Sequence, residues 1–132
     1  MIVTDASILV MALGDDGAGG AQARERLRGE ELAAPHLVDA EVTSVLRRSV
    51  LAGGITSQRG SQALKDLADL DIERVAHTTL LPRVWELREN FTAYDACYVA
   101  LAELFRAPLL TYDAKMAAAP GSRCEFEVLS VA

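Results

Sequence analysis

The chain has 132 residues and a mass of 14.2 kDa, enough for one domain with its own core and too little for two. Apolar residues make up 51% of it, which excludes a disordered chain, and no apolar run approaches the roughly 18 residues of a membrane span. A net charge of −6, a pI near 4.8 and an aromatic content of 5% argue against a basic or aromatic face for nucleic acid, but they are compatible with an acidic pocket that holds cations.

In the first half of the chain, short apolar segments alternate with helical ones. Residues 2–4 are apolar and rich in β-branched side chains and predict a strand, and the apolar run that continues to residue 13 predicts a helix from about Ser7. The glycine-rich segment 14–20 does not follow a strand and lacks the spacing of a calcium loop, so we interpret it as a flexible connector. The next predicted elements are a helix at 22–28, a strand at 32–34, and helices at 37–51 and 57–70.

The second half of the chain continues this alternation. It predicts a strand at 72–75, helices at 80–89 and 94–105, a strand at 109–111, a short alanine-rich helix, and a strand around 126–131. Buried strands without polar alternation, separated by helices, are typical of an α/β domain with a parallel sheet and right-handed crossovers. Because no repeat or long linker divides the pattern, we expect one domain over residues 1–132.

The N-terminal segment and the cysteine content give no indication of secretion. Asp5 stands where a secretory leader needs basic residues, and Cys97 and Cys124 form neither a C-x-x-C motif nor a disulfide framework. His36 and His77 have no further His or Cys at metal-ligand spacing, so we interpret both as ordinary loop or cap residues. We therefore expect a cytoplasmic protein without a membrane partner.

Four acidic residues occupy positions where an α/β sheet carries functional groups. Asp5 follows the first strand and Asp113 follows strand 109–111, and open α/β sheets bind ligands beyond the carboxyl ends of their strands. Glu41 lies about 60° from the centre of the apolar stripe of its helix, whereas Asp39 lies about 100° away and is the weaker candidate. Asp95 opens an apolar helix at its electropositive end, three residues after the expected cap Thr92.

Each of these acids also has a purely structural explanation, which is the better one for any of them alone. Asp5 can cap the first helix, Asp95 can be a first-turn acid, Asp113 can be a turn residue, and Glu41 can reach solvent at a helix boundary. Together they would repel, because two unit charges 4 Å apart cost about 4 kcal/mol at an effective dielectric of 20. Hard cations such as Mg²⁺ or Mn²⁺ would neutralise such a cluster, and phosphodiester hydrolysis is the chemistry that this arrangement suits.

The sequence segments around these acids, and their order along the chain, resemble those of a known protein family. The segments that carry the resemblance are Val3-Thr4-Asp5-Ala6-Ser7, Asp39-Ala40-Glu41-Val42, Thr92-Ala93-Tyr94-Asp95-Ala96-Cys97-Tyr98-Val99-Ala100-Leu101-Ala102 and Leu110-Thr111-Tyr112-Asp113. Over essentially the whole chain they resemble the PIN-domain ribonucleases and, more narrowly, the VapC toxins of type II toxin–antitoxin pairs. The block around Tyr94-Asp95 is the most specific of these segments.

The resemblance implies a fold, a site and partners. The fold would be a three-layer α/β/α sandwich with a parallel five-stranded sheet, and the partners would be an RNA substrate, a second copy of the chain, and a co-encoded antitoxin that covers the acidic pocket. Thr4 and Thr111 would lie beside the site, and Ser44 stands where relatives often carry Asn. The acidic metal site, binding Mg²⁺ or Mn²⁺, would consist of Asp5, Glu41, Asp95 and Asp113.

This set of residues is compatible with three functions. The leading hypothesis is a Mg²⁺- or Mn²⁺-dependent endoribonuclease in which Asp5, Asp95 and Asp113 bind metal, while Glu41 binds metal or holds the attacking water. The alternative is a catalytically inactive PIN-like module that binds RNA or protein. A dehalogenase-like phosphatase ranks lowest, because it needs a second aspartate where Ser7 stands.

Overall fold

The computed structural model describes residues 1–130, in which short strands alternate with helices along the chain. The elements are β1 (Ile2–Thr4), α1 (Ala6–Gly14), α2 (Ala18–Leu27), β2 (Leu32–Pro35), α3 (Leu37–Leu51), α4 (Ser57–Asp69), β3 (Ile72–Val75), α5 (Leu81–Glu86), α6 (Ala93–Phe105), β4 (Leu109–Thr111), α7 (Ala114–Ala118) and β5 (Phe126–Val128). Among residues 1–130, no helix combines the length and the apolar character needed to cross a membrane.

The five strands form one parallel sheet in the order β3-β2-β1-β4-β5, flanked by helices, which confirms the predicted fold class. The chain runs outward from β1 through β2 to β3 and then returns to place β4 on the other side of β1. Such a reversal opens a crevice at the carboxyl ends of the two strands. Thr4 pairs with Leu110, and the N–H of Asp5 donates to the carbonyl of Leu110 at 3.2 Å, so the two strand ends lie side by side.

Helix α6 is the most deeply buried helix and packs on the centre of the sheet. Seven consecutive residues from Ala96 to Ala102 are buried, and the helix contacts β1, β2 and β4. A helix that is apolar on all sides has to be enclosed by other elements. Because α6 ends shortly before β4 begins, its first turn points towards the opposite edge of the sheet, where β1 and β4 end.

The glycine-rich segment 14–20 is the largest departure from the predicted elements, because α2 already begins at Ala18. Gly19 and Gly20 lie inside this helix, against the end of α1: a Cβ on Gly20 would stand 1.9 Å from the carbonyl oxygen of Asp15. The Asp15 carboxylate accepts from the N–H of Gly20 at 2.7 Å and so stabilises the first turn of α2. Close packing of two helices thus outweighs the low helix propensity of glycine.

Two predicted elements are shorter in the structure. Helix α5 ends at Glu86 rather than at 89, and its backbone continues in turns up to the start of α6. Strand β5 ends at Val128, so positions 129 and 130 of the predicted strand are not part of it. Position 131 of that prediction lies outside the described residues.

The two histidines have structural roles around the start of α3. The Nε2 atom of His77 accepts from the N–H of Leu37, the first residue of α3, at 2.9 Å. The ring of His36 packs edge to face with that of His77, with 6.1 Å between the ring centroids. His77 therefore supplies the acceptor that a helix N-terminus needs, which agrees with the interpretation of the histidines as loop or cap residues.

Tyr112→Phe is expected to stabilise the fold by about 1 kcal/mol, because a buried polar group without a partner costs roughly 1–3 kcal/mol. Within residues 1–130, the hydroxyl of Tyr112 is the buried side-chain polar atom that has no hydrogen-bond partner. Urea unfolding of the two proteins measures the difference in the free energy of unfolding. A lower midpoint for the variant would contradict this account of the hydroxyl.

Candidate active site

Asp5 is the most buried of the four predicted acids and lies where β1 ends and α1 begins. Its side chain is only 8% exposed. Asp5 is the N-cap of α1: its Oδ1 accepts from the N–H of Ile8 at 3.3 Å and from the hydroxyl of Ser7 at 2.6 Å. The capping role predicted for Asp5 is therefore realised, together with its position at the strand end.

Two hydroxyl groups connect Asp5 to the end of β4. The buried hydroxyl of Thr111 donates to Oδ2 of Asp5 and accepts from the N–H of Asp113 at 3.0 Å. The hydroxyl of Ser7 donates to Oδ1 of Asp5 and accepts from the N–H of Tyr112 at 3.2 Å. The Asp5 carboxylate is thus oriented from both sides, and the ends of β1 and β4 are tied together.

Thr111 was expected beside the site and Ser7 was not. A small hydroxyl residue two positions after a strand-end aspartate is the pattern that could have indicated Ser7. Thr4 is fully buried, and its hydroxyl donates to the backbone oxygen of Asp5 at 3.2 Å rather than to one of the four carboxylates. Its contact with the site is therefore through the Asp5 backbone.

Glu41 and Asp95 approach the same edge of the sheet from two helices. Glu41 lies on α3 and is half-buried, and its Oε1 accepts from the hydroxyl of Tyr98 at 2.6 Å. Asp95 lies in the first turn of α6, where Thr92 caps the helix by accepting from the N–H of Asp95 at 3.1 Å, as predicted. Tyr98 was not among the predicted site residues.

Asp113 stands at the exposed rim of this region and is the N-cap of α7. Its Oδ1 accepts from the N–H groups of Lys115 and Met116 at 3.0 and 3.1 Å. Its position after β4 is the one that the strand-end argument predicts, and its turn role is realised at the same time. A carboxylate held by two backbone donors has a fixed orientation.

The charges of neighbouring predicted acids affect the protonation of two of the four, Glu41 and Asp95. Burial raises the pKa of Asp5 above its usual 3.8, against the hydrogen bonds that it accepts. Burial also raises the pKa of Asp95, with further contributions from the charges of Asp113 and Asp5. The pKa of Glu41 is raised by burial first and then by the charges of Asp95 and Asp5, while the bond from Tyr98 opposes the shift. Within this group of four acids, the charges of Asp95 and Asp5 thus act on Glu41, and those of Asp113 and Asp5 act on Asp95.

The arginine partners that neutralise other carboxylates of this protein are not found in this group. Asp39 is paired with Arg74 through two hydrogen bonds of 2.7 and 3.0 Å, which agrees with its lower rank as a candidate. Glu103 is paired in the same way with Arg83. Among the ion pairs of residues 1–130, none involves the four predicted acids. In that part of the chain, no protein cation is paired with their negative charge.

The donor chemistry of the group suits a hard divalent cation. All its donors are carboxylate oxygens, which Mg²⁺ and Mn²⁺ prefer. As the side chains of residues 1–130 are placed, no three Asp, Glu, His or Cys side chains converge closely enough to enclose an ion. Mg²⁺ does not need such a cage, since it commonly keeps several waters and takes only one or two carboxylates. The residues therefore fit a partly hydrated cation better than a fully enclosed one.

Comparison with known proteins shows which proteins this chain is similar to in sequence and in fold. Residues 2–121 match the family model described as PIN domain. The chain is 44% identical to ribonuclease VapC1 of Mycobacterium tuberculosis over 128 residues, which cover 96% of both chains. Its fold is similar to a solved structure of VapBC2 from Rickettsia felis bound to a DNA fragment from their promoter, with a TM-score of 0.71, 17% identity, and 98% of this chain and 100% of the other covered. It is also similar to a toxin–antitoxin complex from Klebsiella pneumoniae, with a TM-score of 0.64, 22% identity, and coverage of 89% and 91%.

Proposed function

The chain belongs to the PIN domain family, and on this basis we propose that it is a Mg²⁺- or Mn²⁺-dependent endoribonuclease that acts as the toxin of a toxin–antitoxin pair. The observation that carries the proposal is the group of carboxylates at the crevice between β1 and β4, which has no arginine partner among residues 1–130. The full-length similarity to a protein named as a ribonuclease supports RNA as the substrate.

The proposed metal-binding residues are Asp5, Asp95 and Asp113, of which one or two would bind the cation directly and the rest through its waters. A bound Mg²⁺ or Mn²⁺ supplies an activated water and stabilises the charge on the leaving oxygen. Ser7 and Thr111 hold both oxygens of Asp5 in a fixed orientation, so little reorganisation is needed when a cation binds. The same carboxylates would repel RNA phosphates as long as their charge is not neutralised, which explains why such a site requires a cation.

Glu41 is the proposed contact of the attacking water. Burial and the charges of Asp95 and Asp5 raise the pKa of its carboxyl group above the usual 4.5, which makes its carboxylate a better proton acceptor than an ordinary glutamate. In this role Glu41 takes the proton that leaves the water when its oxygen attacks phosphorus. A direct contact of Glu41 with the cation is the other arrangement that its position permits.

A purified-protein assay tests the proposed function. We expect a randomised single-stranded RNA pool to be cleaved with millimolar Mg²⁺, to remain intact in excess EDTA, and to be cleaved again once Mn²⁺ exceeds the chelator. Cleavage that continues unchanged in EDTA would contradict the role of the metal. Sequencing of the new RNA ends would show the preferred cleavage site.

One observation favours a second function, a catalytically inactive module that binds RNA or protein. In the part of the chain that the structure describes, no three potential ligands converge on one point. An inactive module would retain RNA in a gel-shift experiment and leave it uncut at every metal concentration. The same RNA pool therefore distinguishes the two functions.

The proposed partners are a co-encoded antitoxin and a second copy of this chain, both in the cytoplasm. The antitoxin is supported by the similarity in fold to a toxin–antitoxin complex. In this proposal the antitoxin covers the acidic crevice. Adding the protein encoded by a short neighbouring reading frame should then stop RNA cleavage. Without that protein, light scattering should give the mass of two copies of this chain.

A further inference from the structure

Tyr98 is the largest fully buried side chain of residues 1–130, and its hydroxyl forms a hydrogen bond with one of the predicted site residues. The residue is 2% exposed on α6, within the buried run that packs on the sheet. Its hydroxyl donates to Oε1 of Glu41 on α3, at 2.6 Å. A buried phenol needs such an acceptor, so its ring and hydroxyl are fixed by the core on one side and by the carboxylate on the other.

This contact joins two of the proposed site residues through one helix. Tyr98 lies three residues after Asp95, so the two side chains share a face of α6 one turn apart. Helix α6 therefore carries Asp95 itself and also the group that orients Glu41. Tyr98 has only two side-chain torsions and is enclosed by the core, whereas Glu41 has three and is half-buried. Because Tyr98 is held rigidly, its hydrogen bond determines the orientation of the more flexible Glu41 carboxylate.

We propose that Tyr98 is a positioning residue that holds Oε1 of Glu41 and, by fixing the orientation of this carboxylate, favours binding of a cation through the other oxygen, Oε2. Among residues 1–130, the Tyr98 hydroxyl is the one donor that reaches the Glu41 carboxylate, so Oε2 is left for the cation or its water. This inference rests on the proposed function, in which Glu41 contacts the cation or a water on it.

Single-oxygen binding by Glu41 favours Mg²⁺ over Ca²⁺. Mg²⁺ requires nearly ideal octahedral geometry and keeps several waters, so a carboxylate that offers one oxygen suits it. Ca²⁺ takes six to eight oxygens and readily accepts both oxygens of one carboxylate. A Glu41 side chain released from Tyr98 can turn and offer both oxygens, which benefits the larger ion. Tyr98 is in this way a determinant of metal selectivity.

Calorimetric titration with Mg²⁺ alone and with Ca²⁺ alone tests the proposal. For Tyr98→Phe we expect the Mg²⁺ affinity to fall about 10- to 100-fold, the usual effect of removing an outer-shell partner, while the Ca²⁺ affinity changes by less than about threefold. Tyr112→Phe is the matched control, because it removes another buried phenol hydroxyl that has no partner among the described residues. We expect both affinities of the control to equal those of the unchanged protein.

The outcomes separate this inference from the proposed function. An equal loss of Mg²⁺ and Ca²⁺ affinity in Tyr98→Phe, or no loss, overturns the selectivity role while leaving the metal site in place. If the unchanged protein binds neither ion, both proposals are overturned, whereas binding that Asp5→Asn abolishes supports the proposed site. Should Tyr98→Phe fail to fold, Glu41→Asp provides the same comparison, because the shorter side chain withdraws from Tyr98. The same selective loss of Mg²⁺ affinity is expected for it.

Discussion

Asp5→Asn is expected to reduce RNA cleavage at least about a thousandfold while leaving the fold intact. A bound metal supplies several kcal/mol of transition-state stabilisation, and each 1.36 kcal/mol corresponds to a factor of ten in rate. Asn lacks the charge that holds the cation, but it has the same shape and can still accept from Ser7 and Ile8. Initial cleavage rates of the RNA pool at saturating Mg²⁺ measure the loss, and circular dichroism checks the fold.

Asp39→Asn is the control for this variant, because it makes the same chemical change two residues from Glu41. Asp39 is neutralised by Arg74 in the structure and is not one of the proposed ligands. Its side chain is 41% exposed, so the ion pair contributes at most about 1 kcal/mol to stability. We expect unchanged cleavage rates and a slightly lower free energy of unfolding. Full activity of Asp5→Asn would refute the proposed metal site, and a loss of activity in both variants would point to a general electrostatic effect.

The sequence predicts those parts of the site that depend on where a strand or helix ends. Asp5 and Asp113 follow apolar strands, and the parallel pairing of β1 with β4 brings their strand ends together. The expected cap Thr92 likewise places Asp95 in the first turn of α6. These positions follow from local patterns of a few residues, which is why they can be predicted before the tertiary structure is known.

Contacts between distant segments could not be predicted in this way. Tyr98 follows Glu41 by 57 positions, and Tyr98 reads as an ordinary core residue of an apolar helix until α3 is packed beside it. The helix at Gly19 and Gly20 is a second example, because glycine normally indicates a loop and only the contact with α1 explains it. In both cases tertiary packing decides between two locally acceptable interpretations.

Mg²⁺ is expected to stabilise the folded protein strongly at pH 7.5. A ligand that binds only the folded state at about 100 times its dissociation constant adds roughly 2.7 kcal/mol to the free energy of unfolding. For a domain of this size, that corresponds to an increase in Tm of roughly 8–12 °C. Differential scanning calorimetry with and without Mg²⁺ measures the shift. Asp5→Asn should lose most of it, whereas Asp39→Asn should keep it.

The pH dependence of this stabilisation follows from the direction of the pKa shifts. Asp5, Glu41 and Asp95 have raised pKa values in the folded metal-free protein, with burial as the main cause in each case. For such groups, the contribution to stability is fully present below the unfolded pKa and is lost as the pH rises through the higher folded pKa. The metal-free protein should therefore gain stability from these three groups as the pH falls through their raised folded pKa values towards the ordinary values of 3.8 for Asp and 4.5 for Glu.

Protons and Mg²⁺ compete for the same carboxylates, so the Tm increase produced by Mg²⁺ should shrink over the same pH range. Glu103 acts in the opposite direction: burial tends to raise its pKa, but the hydrogen bonds from Arg83 and Arg123 outweigh burial and lower it. The stability that Glu103 contributes is therefore lost only as the pH falls further, through its lowered folded pKa, and that loss does not depend on Mg²⁺. An equal Tm increase at pH 7.5 and at a pH close to the ordinary carboxyl pKa values of 3.8 and 4.5 would show that the cation binds elsewhere. An increase confined to higher pH and absent in Asp5→Asn would assign it to the carboxylates at the β1–β4 crevice.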